Sequence, residues 1–132
     1  MIRYPFNGQL VQAAGLSPAQ QTGWYWNASE SGSGYFIEMQ GSDVFLAAYM
    51  YDTNGTARWY AASGTAVTSN SATTFTASLV EFSGGPSLGG VYRSPTGAAI
   101  KGSVTLQMVS ATDATLTLPN GRQVALSRFT QF

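Results

Sequence analysis

The chain contains no cysteine and no histidine. That excludes thiol nucleophiles, imidazole general bases and the usual zinc and copper ligands. Charge is also scarce: charged residues make up 9% of the chain, with six basic and six acidic side chains and a net charge of zero, where about a quarter is usual. Nucleic acid is therefore not an expected partner, because phosphate binding needs a clustered positive field that six scattered cations do not supply. An anionic membrane surface is disfavoured for the same reason. No apolar run approaches the roughly 18 to 20 residues of a membrane-spanning helix, so no membrane insertion is expected. The opening MIRYPFNGQL lacks the hydrophobic region of a signal peptide, as would a chain that begins at its mature end. Nothing in the composition calls for a cofactor.

What the chain has instead is Ser, Thr, Gly and Ala around a large aromatic content, 13% of residues. The dominant period is two. In IKGSVTLQMV, Ile100, Gly102, Val104, Leu106 and Met108 alternate with Lys101, Ser103, Thr105 and Gln107, the pattern of a strand with one wet face. Leu116 and Leu118, then Val124 and Leu126, continue it across Pro119-Asn120-Gly121, and Asn-Gly is the strongest short hairpin signal. Gln40-Gly41-Ser42-Asp43 and Asp52-Thr53-Asn54-Gly55 carry turn chemistry between heavier runs. The spacing predicts eight strands, near residues 22-27, 33-40, 44-51, 56-62, 73-82, 100-109, 113-118 and 122-129.

Short links make sequence neighbours antiparallel neighbours in space. Eight such strands close into an up-and-down barrel, which removes exposed edges; a two-sheet sandwich is the alternative. The chain thus divides into an N-terminal arm or plug, residues 1-21, and a single all-β barrel domain, 22-132. Ser17-Pro18 suits a helix N-cap followed by its first residue, so a helical turn there competes with an extended arm.

Two resemblances follow from particular residues. Gly23-Trp24-Tyr25-Trp26 at the start of the first strand, with Arg128 at the end of the last, resembles the closing arrangement of lipocalin-like and avidin-like barrels, in which an indole plugs the floor beneath an arginine. Arg128 shares strand parity with Val124 and Leu126 and is expected to point inward, against whichever of Trp24 and Trp26 faces in. Trp26-Asn27-Ala28-Ser29-Glu30-Ser31-Gly32-Ser33-Gly34, followed by Tyr51-Asp52-Thr53-Asn54-Gly55-Thr56-Ala57-Arg58-Trp59-Tyr60, is similar to a domain recurrent in secreted and surface proteins of proteobacteria. That family carries G-x-W-W-N-P-x-E-S-G-x-G, then Y-D-x-x-G-x-P-x-W, and an Arg shortly before a terminal Phe, which LSRFTQF matches. The chain departs from it at Ala28 and Ala57, where Pro is usual, and at Tyr25, where Trp is usual. The resemblance covers residues 23 to 60 closely. It implies an extracytoplasmic bacterial barrel and no particular reaction.

The aromatic clusters supply the candidate site. A carboxylate and an amide, Glu30 and Asn27, beside Trp26 and Trp59 would form a sugar subsite, with flat rings against C–H groups and polar groups orienting hydroxyls. The competing reading is that Asn27 and Glu30 satisfy the backbone of the turn. Tyr49, Tyr51 and Tyr60, with Trp24 and Arg128, complete the candidate ligand-binding set at a barrel mouth, over which residues 83-97 form a lid. Asp52-x-Asn54 is a fragment of a calcium loop without further acidic ligands at the required offsets, so no metal is expected. The Asn27 and Asn54 glycosylation patterns are read as accidental for a bacterial chain. Glu38 and Glu81 would form a catalytic pair only if both faced the lumen.

Two functions from different classes remain. One is a non-enzymatic extracytoplasmic barrel binding a small apolar molecule or a glycan at an aromatic-lined site. The other is a structural or adhesive module with a packed lumen. A homo-oligomer is compatible with either.

Overall fold

The computed structural model describes residues 22-69 and 72-129. The proposed arm or plug at residues 1-21 lies outside these. The described chain is all-β, with nine strands: β1 (Gly23–Trp26), β2 (Gly34–Gln40), β3 (Asp43–Tyr51), β4 (Ala57–Thr65), β5 (Val67–Ser69), β6 (Ala72–Ser83), β7 (Gly97–Met108), β8 (Asp113–Thr117) and β9 (Gln123–Arg128). Their order in the sheet is β4-β3-β2-β1-β9-β8-β7-β6-β5, and pairing of β4 with β6 closes it. Eight antiparallel strands form the barrel, and the short β5 is additional to the eight expected.

Turn chemistry explains the hairpins. Gly55 N donates to Asp52 O and Asp52 N to Thr56 O; Gly121 N donates to Leu118 O and Leu118 N to Arg122 O. Both are three-residue loops that end on a glycine with positive φ, +84° at Gly55 and +89° at Gly121. This is the usual turn-plus-bulge solution for a hairpin, so Asn120-Gly121 closes a slightly longer loop than a two-residue one.

Alternate residues fill the lumen. Tyr25, Tyr35, Ile37, Leu46, Phe75, Leu106, Leu116 and Leu126 are fully buried in one continuous cluster that spans the barrel. An eight-stranded barrel is just wide enough for its own side chains, and this one is filled by them. The parity of β1 corrects an expectation: neither Trp24 nor Trp26 plugs the lumen. Tyr25 does, at 1% exposure, paired across the sheet with Arg128. Arg128 points inward as expected and lies over Gly23, where a Cβ would stand 2.9 Å from its Nε. Burial pushes the Tyr25 hydroxyl up to about 12, with Arg128 pulling the other way.

A second correction concerns Ile100, which alternation in the sequence places on the face of Val104 and Leu106. The register of β6 against β7 shifts between Leu79 and Val80, leaving Lys101 unmatched and pairing Ile100 with the outward Val80. Such a bulge reverses the side on which preceding residues lie. Ile100 is accordingly exposed.

Candidate functional site

The same alternation that buries Tyr35, Leu46 and Tyr25 sends Phe36, Phe45, Ala47, Tyr49 and Trp24 to the outer surface. Register places them in line. Trp24 is opposite Phe36, Phe36 opposite Ala47, Tyr49 opposite Trp59, and Ala47 opposite Ala61. The next strand, β6, brings Val80 beside Ala61 and Phe82 to Trp59. The result is a row of rings across the outside of five strands. Trp24 lies 5.0 Å from Phe36 and 6.0 Å from Tyr49, centroid to centroid, and Trp59 stacks on Phe82 at 5.0 Å with 25° between planes. Trp24, Tyr49 and Trp59 remain 44%, 41% and 43% exposed. Ala47 and Ala61 are buried although they point outward, because the flanking rings cover them.

Polar groups border the row. Toward the β2–β3 turn, Glu38, Gln40, Asp43, Ser63 and Thr65 surround the exposed ring of Phe45 in a shallow depression. Gln40 Nε2 donates to Glu38 Oε2 there. Beside Tyr49 and Trp59, a second depression is lined also by Tyr51, Arg58 and Gly32. Arg58 Nε is 3.2 Å from Asp52 Oδ2 and 3.4 Å from Glu81 Oε2, and Lys101 Nζ is 3.3 Å from Glu81 Oε1. The Asp52 carboxyl is held below its ordinary value, first by the Thr56 amide and also by the Asn54 amide and the Arg58 guanidinium.

The structure therefore divides the sequence-derived set. Trp24, Tyr49 and Trp59 come together on one outer face, with Tyr51 at its margin. The others lie elsewhere. Trp26 also points outward but packs edge-on against Phe129, at 5.0 Å, on the β9 side of β1. Asn27 caps the short 3-10 turn 28-30, accepting from Ser29 N at 2.8 Å. The polar groups of Asn27 and Glu30 are thus engaged by Ser29 and Arg122, and it is Gly32 of the same link that reaches the depression beside Trp59. Tyr60 faces inward opposite Glu81; burial, with the Glu81 charge second, raises its hydroxyl. Arg128 is inside the barrel. Glu38 lies on the outer face and Glu81 at the rim with two cations, so they do not face each other across a cleft. Residues 84-96 form the exposed tip of the β6–β7 hairpin.

Phe36, Phe45 and Phe82 are members of the face that sequence reasoning did not single out. The signal was present as parity: β3 reads Phe45, Ala47, Tyr49, Tyr51 on one side and Val44, Leu46, Ala48, Met50 on the other. Among the described residues, no group of three or more acidic side chains is placed to hold a metal ion.

Glu30 has a different role in the structure. Arg122 Nη2 and Nη1 donate to Glu30 Oε1 and Oε2 at 2.9 and 3.0 Å, joining the β1–β2 link to the β8–β9 turn. This hydrogen-bonded pair lowers the Glu30 carboxyl. A depressed carboxyl contributes stability above its ordinary value and loses it as pH falls through the lowered one. Arg122→Gln is expected to return the Glu30 titration, followed by side-chain carbon shifts, toward the ordinary glutamate midpoint; an unchanged midpoint would show that the clasp does not form in solution.

Comparison with known proteins gives no match: no family model, no curated protein and no solved structure is significantly similar to this chain.

Proposed function

We propose that this protein is a non-enzymatic binding module that takes a glycan on the outer face of its barrel. The observation that carries the reading is the row Trp24, Phe36, Tyr49, Trp59 and Phe82, with three large rings more than two-fifths exposed, on a barrel whose lumen is filled by its own side chains. Exposed aromatic surface costs free energy in water unless something covers it. A sugar ring presents an apolar face of C–H groups and a rim of hydroxyls. The flat rings of the row complement the first, and Ser63, Thr65, Gln40 and Glu38, gathered around Phe45 beside it, complement the second. An apolar ligand inside the barrel has no comparable support, because Tyr25, Tyr35, Leu46 and Phe75 occupy the space it would need. The extracytoplasmic setting implied by the motif resemblance is one in which glycans are met.

The test is titration of the protein with neutral hexasaccharides, following tryptophan emission and the melting temperature. A saturable emission change with a matching rise in melting temperature is expected, since a ligand that binds only the native state stabilises it. If no glycan binds and the protein self-associates through this face, the adhesive-module reading replaces this one.

A further inference from the structure

β4 and β5 form one bent strand running against β6, and its ladder is open in the middle. Pairing holds at Tyr60–Glu81 and Ala61–Val80, then again at Val67–Thr74, Thr68–Thr73 and Ser69–Ala72. The two paired segments share one register, so an uninterrupted ladder would match residues 62 to 66 with residues 79 to 75. It does not form there. Ala66 N instead donates to Ser42 O at 2.7 Å, which draws the end of β4 toward the β2–β3 turn. The ring of Phe75 fills the inner side of the gap, and a Cβ at Gly64 would stand 3.2 Å from its Cε1.

On the outer side the gap is a depression of about 450 Å³ between Phe45 and Phe82, with the hydroxyls of Ser63, Thr76 and Ser78 on its two strands. Thr76 Oγ1 lies 3.1 Å from Thr105 Oγ1, while Ser63 and Ser78 are exposed. Strand backbone that faces such a gap needs hydrogen-bonding partners from water or from a ligand. No ionisable side chain lines the depression, and a charge brought there unpaired would be penalised by desolvation. The site also adjoins the aromatic row, because Phe82 is the ring on which Trp59 stacks.

We infer that this opened seam is the subsite that selects a neutral sugar residue. Its hydroxyls hydrogen-bond the freed backbone of β4 and β6 together with Ser63 and Ser78, and its ring sits between Phe45 and Phe82. The inference rests on the glycan reading above and specifies where and by what chemistry the ligand is chosen. It distinguishes neutral glycans from acidic ones, for which the seam offers no cation.

Hydrogen exchange on the full chain tests it, with cellohexaose, maltohexaose and chitohexaose as neutral probes and oligogalacturonate as the acidic one. With the neutral probe that binds, the seam-facing amides of residues 62-66 and 75-79 are expected to gain at least tenfold protection, while amides of the β8–β9 ladder are unchanged. Oligogalacturonate is expected to bind at least tenfold more weakly. Ser78→Trp, which fills the depression and leaves Trp59 in place, is expected to reduce neutral-probe affinity at least tenfold. Binding without seam protection, or equal binding of the acidic probe, overturns the seam inference and leaves the glycan reading standing. Absence of binding by every probe overturns both.

Discussion

Trp59→Ala is expected to weaken glycan binding by roughly thirtyfold or more, the loss of about 2 kcal/mol that a central aromatic anchor typically carries. The barrel should stay folded. Trp59 stands on the outer side of β4, and its main partner, Phe82, is also outward. Its inward neighbour Tyr60 and the β3–β4 ladder from Asp43–Thr65 to Tyr51–Ala57 do not depend on it. Substitution removes the stacked ring and uncovers part of Phe82, a surface change whose stability cost is small beside that of a core deletion. The measurement is calorimetric titration of the variant with the best neutral hexasaccharide, alongside a thermal melt. Unchanged affinity would remove Trp59 from the site. A collapse of the melt would assign it to the structure.

The second large effect lies one strand parity away. Tyr25→Ala is expected to destabilise the barrel by about 3 to 5 kcal/mol, as large aromatic-to-alanine changes in cores do. Tyr25 is fully buried and packed in the lumen cluster, next to the inward guanidinium of Arg128. Its removal leaves a cavity beside a charged group whose surroundings it helps to define. Trp24, its neighbour in sequence and larger, is exposed on the other side and should cost far less when truncated. Equal losses in chemical denaturation of the two variants would contradict the assignment of faces.

This pair shows how much of the molecule was legible in the sequence. Strand spacing and turn residues fixed the number of barrel strands, and the glycines at 41, 55 and 121 all occupy left-handed conformations that the turns require. The inward direction of Arg128 follows from alternation with Val124 and Leu126, because the other face of β9, Gln123, Ala125 and Ser127, is polar or small. Where both faces of a strand are apolar, alternation does not say which is inside. In β3 the bulkier side, with Phe45, Tyr49 and Tyr51, is the outer one, because the interior of an eight-stranded barrel has limited volume and takes Val44, Leu46 and Ala48. β1 presents the same ambiguity, and the expectation that an indole faces inward fails there.

Two further features depend on partners distant in sequence. Ile100 changes side because of a register shift against β6, and within IKGSVTLQMV its one local sign is Gly102, which sits at the shift with a φ of +123°. The opened seam depends on a bond from Ala66 to the β2–β3 turn and on the ring of Phe75. Asn27 caps the turn, as one of its two readings expects, whereas Glu30 departs from both of its readings, because its carboxylate pairs with Arg122 on the β8–β9 turn.

The chain's three tryptophans give the most direct test of where the ligand sits, because two belong to the outer row and one does not. Their indole N–H signals can be assigned by substitution and followed by NMR during titration with a binding hexasaccharide. Saturable shifts of the Trp24 and Trp59 signals, with Trp26 unmoved beside Phe129, are the predicted result. Shifts confined to Trp26, or a bound ligand that moves none of the three, would contradict a site on this face.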